Sequence, residues 1–234
     1  MTARSPFLDS FRTGKQLIGM VHLQALPGTP RAALPPDEIV AAAVREAEIY
    51  QAAGIDTVLV ENMHDVPYRK GVGPEAVAVA ALAVAEIRRL GLACGVQLLA
   101  GANQEAVAVA HAAGASFVRV EGFVYGQVSD EGYFDACAGD LLRYRREIGA
   151  EAVAICPDIK KKHASHAVTA DVGIAETART AQFFLADALI VTGSATGLPA
   201  AVADARAVRE AADRPILIGS GITPENLAGY WPYA

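Results

Sequence analysis

A chain of 234 residues, 53% of them hydrophobic, supplies one sizeable core, and α/β barrels often run past ~200 residues as one domain. A net charge of −6, with no block of like charges beyond Lys160 to Lys162, gives no basic face of the kind that neutralises a phosphate backbone, so nucleic acid is not expected as a partner. The apolar runs fall short of the ~18 residues of a membrane-spanning helix, and the N-terminus from Met1 to Phe7 has no apolar signal core; a cytoplasmic protein without a transmembrane segment is expected.

Short β-branched runs alternate with Ala-rich amphipathic stretches along the chain. The first strand, 17–22, precedes a helix over 37–53, and the second, 57–61, precedes a helix over 74–90. A strand at 94–99 leads into a helix over 103–113. The strand at 117–121 leads, after a long loop, into a helix over 134–148. The last three pairs are 153–156 with 172–185, 188–191 with 199–212, and 215–218 with 224–230. Asp37 and Asn103 suit N-caps, Pro74 and Pro224 suit first turns, and Gly54, Gly91, Gly114 and Gly149 suit left-handed C-terminal stops.

Continuous apolar strands separated by helices indicate a parallel sheet buried on both faces. Seven steadily spaced βα units, with no G-x-G-x-x-G after the first strand, favour a (β/α)8 TIM barrel over a doubly wound sheet. The sequence stops at Trp231-Pro232-Tyr233-Ala234 before an eighth strand. Residues 1–234 are therefore read as a single barrel domain that is C-terminally incomplete. A seven-stranded open sheet, or a barrel completed by another chain, is the alternative. Cys94, Cys137 and Cys156 are widely spaced beside small or apolar residues, which fits reduced thiols better than a disulfide frame.

In parallel α/β folds the chemistry lies at the carboxyl ends of the strands. One residue from each strand end gives His22, Glu61, Gln97, Glu121, Asp158, Thr192 and Gly219. Asp158 opens the segment Asp158-Ile159-Lys160-Lys161-Lys162-His163, in which an acid, a base and several cations gather. His163 suits proton transfer near neutral pH, and Lys162 suits an electrostatic clamp, or an imine if desolvated. Glu61 and Glu121 suit a general base or ligand role, with an ion pair to Arg119 the competing account of Glu121. His22 joins the site or is a hydrogen-bonded core histidine.

The loop from Glu61-Asn62-Met63-His64-Asp65 to Gly73 has the length and glycines of an active-site lid. Glu61, His64 and Asp65 could hold a divalent metal ion, although no named metal motif is present. Gly219-Ser220-Gly221 follows the seventh strand, where barrels commonly bind phosphate through backbone N–H groups. Thr192-Gly193-Ser194-Ala195-Thr196-Gly197 is a second small-residue loop suited to the same ligand. A plain tight turn is the competing account of both.

Together, Gly19-Met20-Val21-His22-Leu23 with Leu26-Pro27-Gly28, Glu61-Asn62 with Asp65, Asp158 with Lys162-His163-Ala164, Thr192-Gly193 with Thr196-Gly197, and Gly219-Ser220-Gly221 resemble the BtpA/SgcQ family over nearly all of the chain. The resemblance implies a barrel of the ribulose-phosphate-binding type. It also implies an association with photosystem I biogenesis in one cyanobacterial branch, and with sugar utilisation in the SgcQ branch. The stretch from Gln97 to Asn103 resembles the non-photosynthetic branches. A cytoplasmic enzyme acting on a small phosphorylated sugar by proton transfer or aldol-type chemistry is thus the leading expectation. A non-catalytic assembly factor is the alternative, and a homo-oligomer is left open.

Overall fold

The computed structural model describes residues 5–11, 14–193, 195 and 197–234. The chain divides into two compact units, one within 1–119 and 143–154, the other within 120–142 and 155–234.

The first unit contains α1 (Pro6–Ser10), β1 (Ile18–His22), α2 (Pro36–Ala52), β2 (Thr57–Glu61), α3 (Pro74–Arg89), β3 (Ala93–Gln97), α4 (Asn103–Ala113) and β4 (Phe117–Val120) up to its last residue. Its four strands run parallel in the order β1-β2-β3-β4. Val58, Leu59 and Val60 of β2 are all buried, as a strand covered on both faces requires. Each helix turns one apolar stripe inward. On α3 the stripe is Ala76, Val79, Ala80, Ala83, Val84 and Ile87, spaced three or four residues apart as a helix face demands.

Below β3, Gly95 leaves no room for a Cβ because the Phe117 ring occupies that space. Phe7 of α1 stacks on the same ring at 3.9 Å. The N-terminal helix is thereby pinned to the sheet, and Ser5 adds a hydrogen bond from its hydroxyl to the Ser116 carbonyl.

The second unit contains β5 (Gln127–Ser129), β6 (Gly132–Phe134), the start of α5 (Ala138–Glu147), β7 (Ala154–Ile159) beyond its first residue, β8 (Ala164–Ser165), α6 (Ile174–Phe183), β9 (Leu189–Val191), α7 (Val202–Ala211), β10 (Ile216–Ile218) and α8 (Leu227–Tyr230). Strands β7, β9 and β10 are parallel neighbours in that order. A small antiparallel sheet, β6-β5-β8, is separate from them.

Several sequence expectations need correction. The Val153-to-Cys156 strand reaches Ile159, so Asp158 lies inside β7 rather than beyond it. Phe134 closes β6 instead of opening a helix, because it pairs with Gln127 across a hairpin. Neither Asp37 nor Asn103 is an N-cap: Pro35 and Ala102 occupy those positions, without a side-chain cap. Asp37 instead stands in the first turn of α2, where its charge complements the helix dipole. Pro224 precedes α8 rather than starting it. Gly54, Gly91, Gly114 and Gly149 do take the expected left-handed conformation. No helix among the described residues is long and apolar enough to cross a membrane.

Candidate active site

In the first unit the strand register assembles the site. His22 pairs with Glu61, and Glu61 with Gln97, across β1, β2 and β3. Residues level with one another on neighbouring strands face the same side of the sheet. His22 Nε2 accordingly lies 3.5 Å from Glu61 Oε2, with the carboxylate side chain 13% exposed. The His22 backbone N–H donates to Glu46 Oε2 at 3.2 Å. The hydrogen bond to Glu61 favours the imidazolium and raises the His22 pKa above its ordinary 6.5; burial opposes this, and the charges of Glu61 and Glu46 reinforce it.

Asn62 and Asp65 lock the surrounding loops. The Leu26 N–H donates to Asp65 Oδ1 and the Asn62 amide to Asp65 Oδ2, both at 2.8 Å. The Leu99 N–H in turn donates to Asn62 Oδ1 at 2.6 Å. Burial pushes the Asp65 pKa up, while its bonds from Leu26 and Asn62 and the charge of His64 pull it down. Further along, the Ala100 and Gly101 N–H groups donate to the Arg69 and Lys70 carbonyls. The segment expected to serve as a lid is therefore tied down at several points. His64 is exposed, with its ring 6.4 Å from that of His22. Among the described residues no three His, Cys, Asp or Glu side chains gather as a metal site, so Glu61, His64 and Asp65 do not form the ligand set that their sequence proximity suggested.

In the second unit the lysine run separates into different environments. Lys160 and His163 take left-handed backbone, with φ of 50° and 55°, and the chain then enters β8, which pairs with β5. Lys160 Nζ donates to the Thr169 carbonyl at 3.3 Å. Lys161, not Lys162, is the buried cation. Its ammonium pairs with Glu121, lies 3.9 Å from Glu131 Oε2 and sits 5.3 Å from the Phe134 ring centre. Lys162 is half-buried and His163 exposed. Asp158 is buried, 7% exposed. Lys161 and Glu131 were missed because neither stands at a strand end; a left-handed turn brings in the first and a hairpin turn the second.

The loops after β9 and β10 pack on each other's neighbourhood. A Cβ on Gly221, at φ +68°, would lie 2.5 Å from the Pro199 nitrogen, and one on Gly193 would lie 2.8 Å from the Pro199 carbonyl oxygen. Ser220 Oγ donates to the Leu198 carbonyl at 3.2 Å, and the Gly219 N–H to the Val191 carbonyl at 2.8 Å. Loop packing thus already accounts for two of the glycines. Gly197 has φ +79° and open space around it, while Ser194 and Thr196 lie outside the described residues. Thr192 is different: it is 8% exposed, and its buried hydroxyl has no hydrogen-bond partner among the described residues. An orphaned buried hydroxyl is costly unless something satisfies it.

None of Cys94, Cys137 and Cys156 is in a disulfide, and Cys94 and Cys156 are buried. Burial pushes Cys94 up to about 12 and Cys156 well above its usual range, which makes both poor nucleophiles.

Parallel strands with intervening helices place the chain in the (β/α)-barrel class, with seven parallel strands among the described residues. Solved structures of this fold include the N-acetylmannosamine-6-phosphate 2-epimerase of Clostridium perfringens, at a TM-score of 0.56 and 12% identity, covering 92% of this chain and 82% of that one. The YdjI aldolase of Escherichia coli matches at a TM-score of 0.55 and 13% identity, covering 100% and 79%. Within this class the chain belongs to the BtpA family, whose model matches residues 13–234. A mitochondrial protein of Caenorhabditis elegans is 49% identical over 217 residues, 90% of this chain and 78% of the relative. A Pyrococcus furiosus protein is 34% identical over 94% of this chain and 83% of its own. The photosystem I biogenesis protein BtpA of Synechocystis is 35% identical over 94% and 77%.

Proposed function

We propose that this protein is a cytoplasmic enzyme that moves a proton beside the carbonyl of a small phosphorylated sugar or related metabolite, in an isomerase, epimerase or aldol-type reaction. The observation that carries the reading is the in-register His22–Glu61 pair at the ends of β1 and β2. With Nε2 turned to Glu61, the carboxylate orients the ring and sustains its positive charge, leaving Nδ1 to exchange a proton with substrate. Glu61 raises the His22 pKa above 6.5, a shift toward the imidazolium form that a general acid uses.

Considered by itself, the second unit offers a candidate phosphate site at Thr192, which is 8% exposed and whose hydroxyl has no hydrogen-bond partner among the described residues. We assign Thr192, Gly193, Gly197, Ser220 and Gly221 to the phosphate, with Gly219 shaping the turn. Within that unit we also assign Asp158 an acid–base role, Glu121 that of a carboxylate held by Lys161, and Lys162 and His163 that of meeting negative charge. The epimerase and aldolase that share the fold are named for chemistry of this class.

The test is incorporation of solvent deuterium beside the carbonyl of sugar phosphates, followed by NMR. Wild type should exchange that hydrogen in one such compound, and Glu61→Gln and His22→Asn should each slow exchange by about 10²-fold. Full exchange in both variants would remove the pair from the chemistry.

A second reading, a non-catalytic assembly factor, is favoured by the name of the Synechocystis relative and by an apolar run at the end of α6. Phe183, Phe184 and Leu185 are 81%, 43% and 61% exposed, a docking feature that the polar helix faces of the sequence did not suggest. If that reading holds, Phe183→Ser with Leu185→Ser abolishes cellular function while Glu61→Gln leaves it intact.

A further inference from the structure

Beside the His22–Glu61 pair, the first unit carries a half-open surface pocket of about 190 Å³ lined by Gln24, Ala25, Arg31, Ala33, Leu34 and His64. It opens where the segment after β1 meets the segment after β2. The Arg31 guanidinium makes no hydrogen bond or ion pair among the described residues, and neither does the Gln24 side chain. An unpaired guanidinium lining a concave, partly apolar space is poised for an external oxyanion, since its planar fork matches carboxylate and phosphate oxygens. Gln24 adds an uncharged donor, and His64 brings a ring nitrogen to the same wall. Ala25, Ala33 and Leu34 supply the apolar remainder of the lining.

We propose that Arg31, Gln24 and His64 form a binding site for a small oxyanion, the carboxylate or phosphate group of a compact metabolite. Ligand pockets for drug-sized molecules run to roughly 300–1,000 Å³, so this pocket takes a headgroup or a metabolite of roughly three or four carbons rather than a nucleotide. The His64 ring lies 6.4 Å from that of His22, so an oxyanion held here stands next to the proton-transfer pair. The site rests on the enzymatic reading for its purpose and not for its existence. It is also independent of the Thr192 hydroxyl, which belongs to the second unit.

The experiment is an NMR titration of the full chain with malonate and, separately, inorganic phosphate at constant ionic strength, observing the Arg31 Nε–H and His64 ring signals. Both signals should shift saturably with at least one of the two anions; a preference for malonate assigns a carboxylate ligand, and a preference for phosphate a phosphate group. Arg31→Gln should weaken the apparent Kd about tenfold or more, Gln24→Ala should weaken it less, and Arg89→Gln, remote on α3, should leave it unchanged. Arg31 and Gln24 are exposed, so these variants keep the fold. Linear, unsaturated shifts, or a Kd that Arg31→Gln leaves unaltered, would overturn the site. The readout needs no turnover, so a failed deuterium exchange together with saturable binding would sink the enzymatic reading alone.

Discussion

Lys161 sets its ammonium against the Glu121 carboxylate in the interior of the second unit, with side chains 5% and 9% exposed. Glu131 is a further carboxylate at 3.9 Å. Removing one member of a buried ion pair leaves an uncompensated charge, at a cost of about 3–5 kcal/mol. Lys161→Met should therefore destabilise the protein by about that amount in urea unfolding. The double variant Lys161→Met, Glu121→Gln should lose less than the sum of the two singles; strict additivity would mean that the pair carries no coupling.

Asp65 accepts from the Leu26 N–H and from the Asn62 amide, so Asp65→Ala strands two buried donors. The expected loss is about 1–3 kcal/mol per stranded donor, measured by chemical denaturation. Asn62→Ala should produce a loss of similar kind, because it frees the Leu99 N–H.

The His22 pKa is raised, with Glu61 the principal cause and Glu46 a lesser one. A raised folded-state value means that protonated His22 adds stability below its unfolded pKa of about 6.5, and that this contribution fades as pH rises through the folded pKa. Glu61→Gln should bring the His22 pKa down in an NMR titration. Its stability deficit should be largest below about pH 6.5 and smaller above the folded value. The exposed His64 ring lies 6.4 Å from that of His22, so the two sets of ring signals must be assigned separately in the same spectra.

Thr192→Val and Gly221→Ala separate ligand binding from loop packing. Thr192→Val removes a buried hydroxyl that has no partner among the described residues, so the melting temperature should hold or rise while phosphate-ester binding falls. Gly221→Ala forces a Cβ to 2.5–2.6 Å from the Leu198–Pro199 backbone, at φ +68°. It should destabilise by at least about 1–2 kcal/mol, whatever is bound. Thermal unfolding of the two variants with and without ligand checks both.

Much of the barrel is legible because strands and helices write different periods into the chain. The run Thr57–Glu61 and the alanine-rich stripe of α3 fall where the sequence places them. The hairpin from Gln127 to Phe134 is not legible: its strands have three residues each, too few to establish alternation. The site is half visible. His22 and Glu61 stand out as strand ends, but their pairing depends on a register that only the folded sheet reveals. The choice of Lys161 over Lys162 turns on the left-handed Lys160, which breaks the alternation that would otherwise predict facing. Arg31 lies in a loop beyond β1, and no spacing rule connects it to His64.

The most direct test of the central claim is the melting temperature of wild type and Thr192→Val across a panel of phosphorylated sugars. A ligand at ~100 times its Kd stabilises the folded state by ~2.7 kcal/mol. The account predicts a rise with one sugar phosphate in wild type that is lost in Thr192→Val. No rise with any member of the panel, or an equal rise in both proteins, would contradict it.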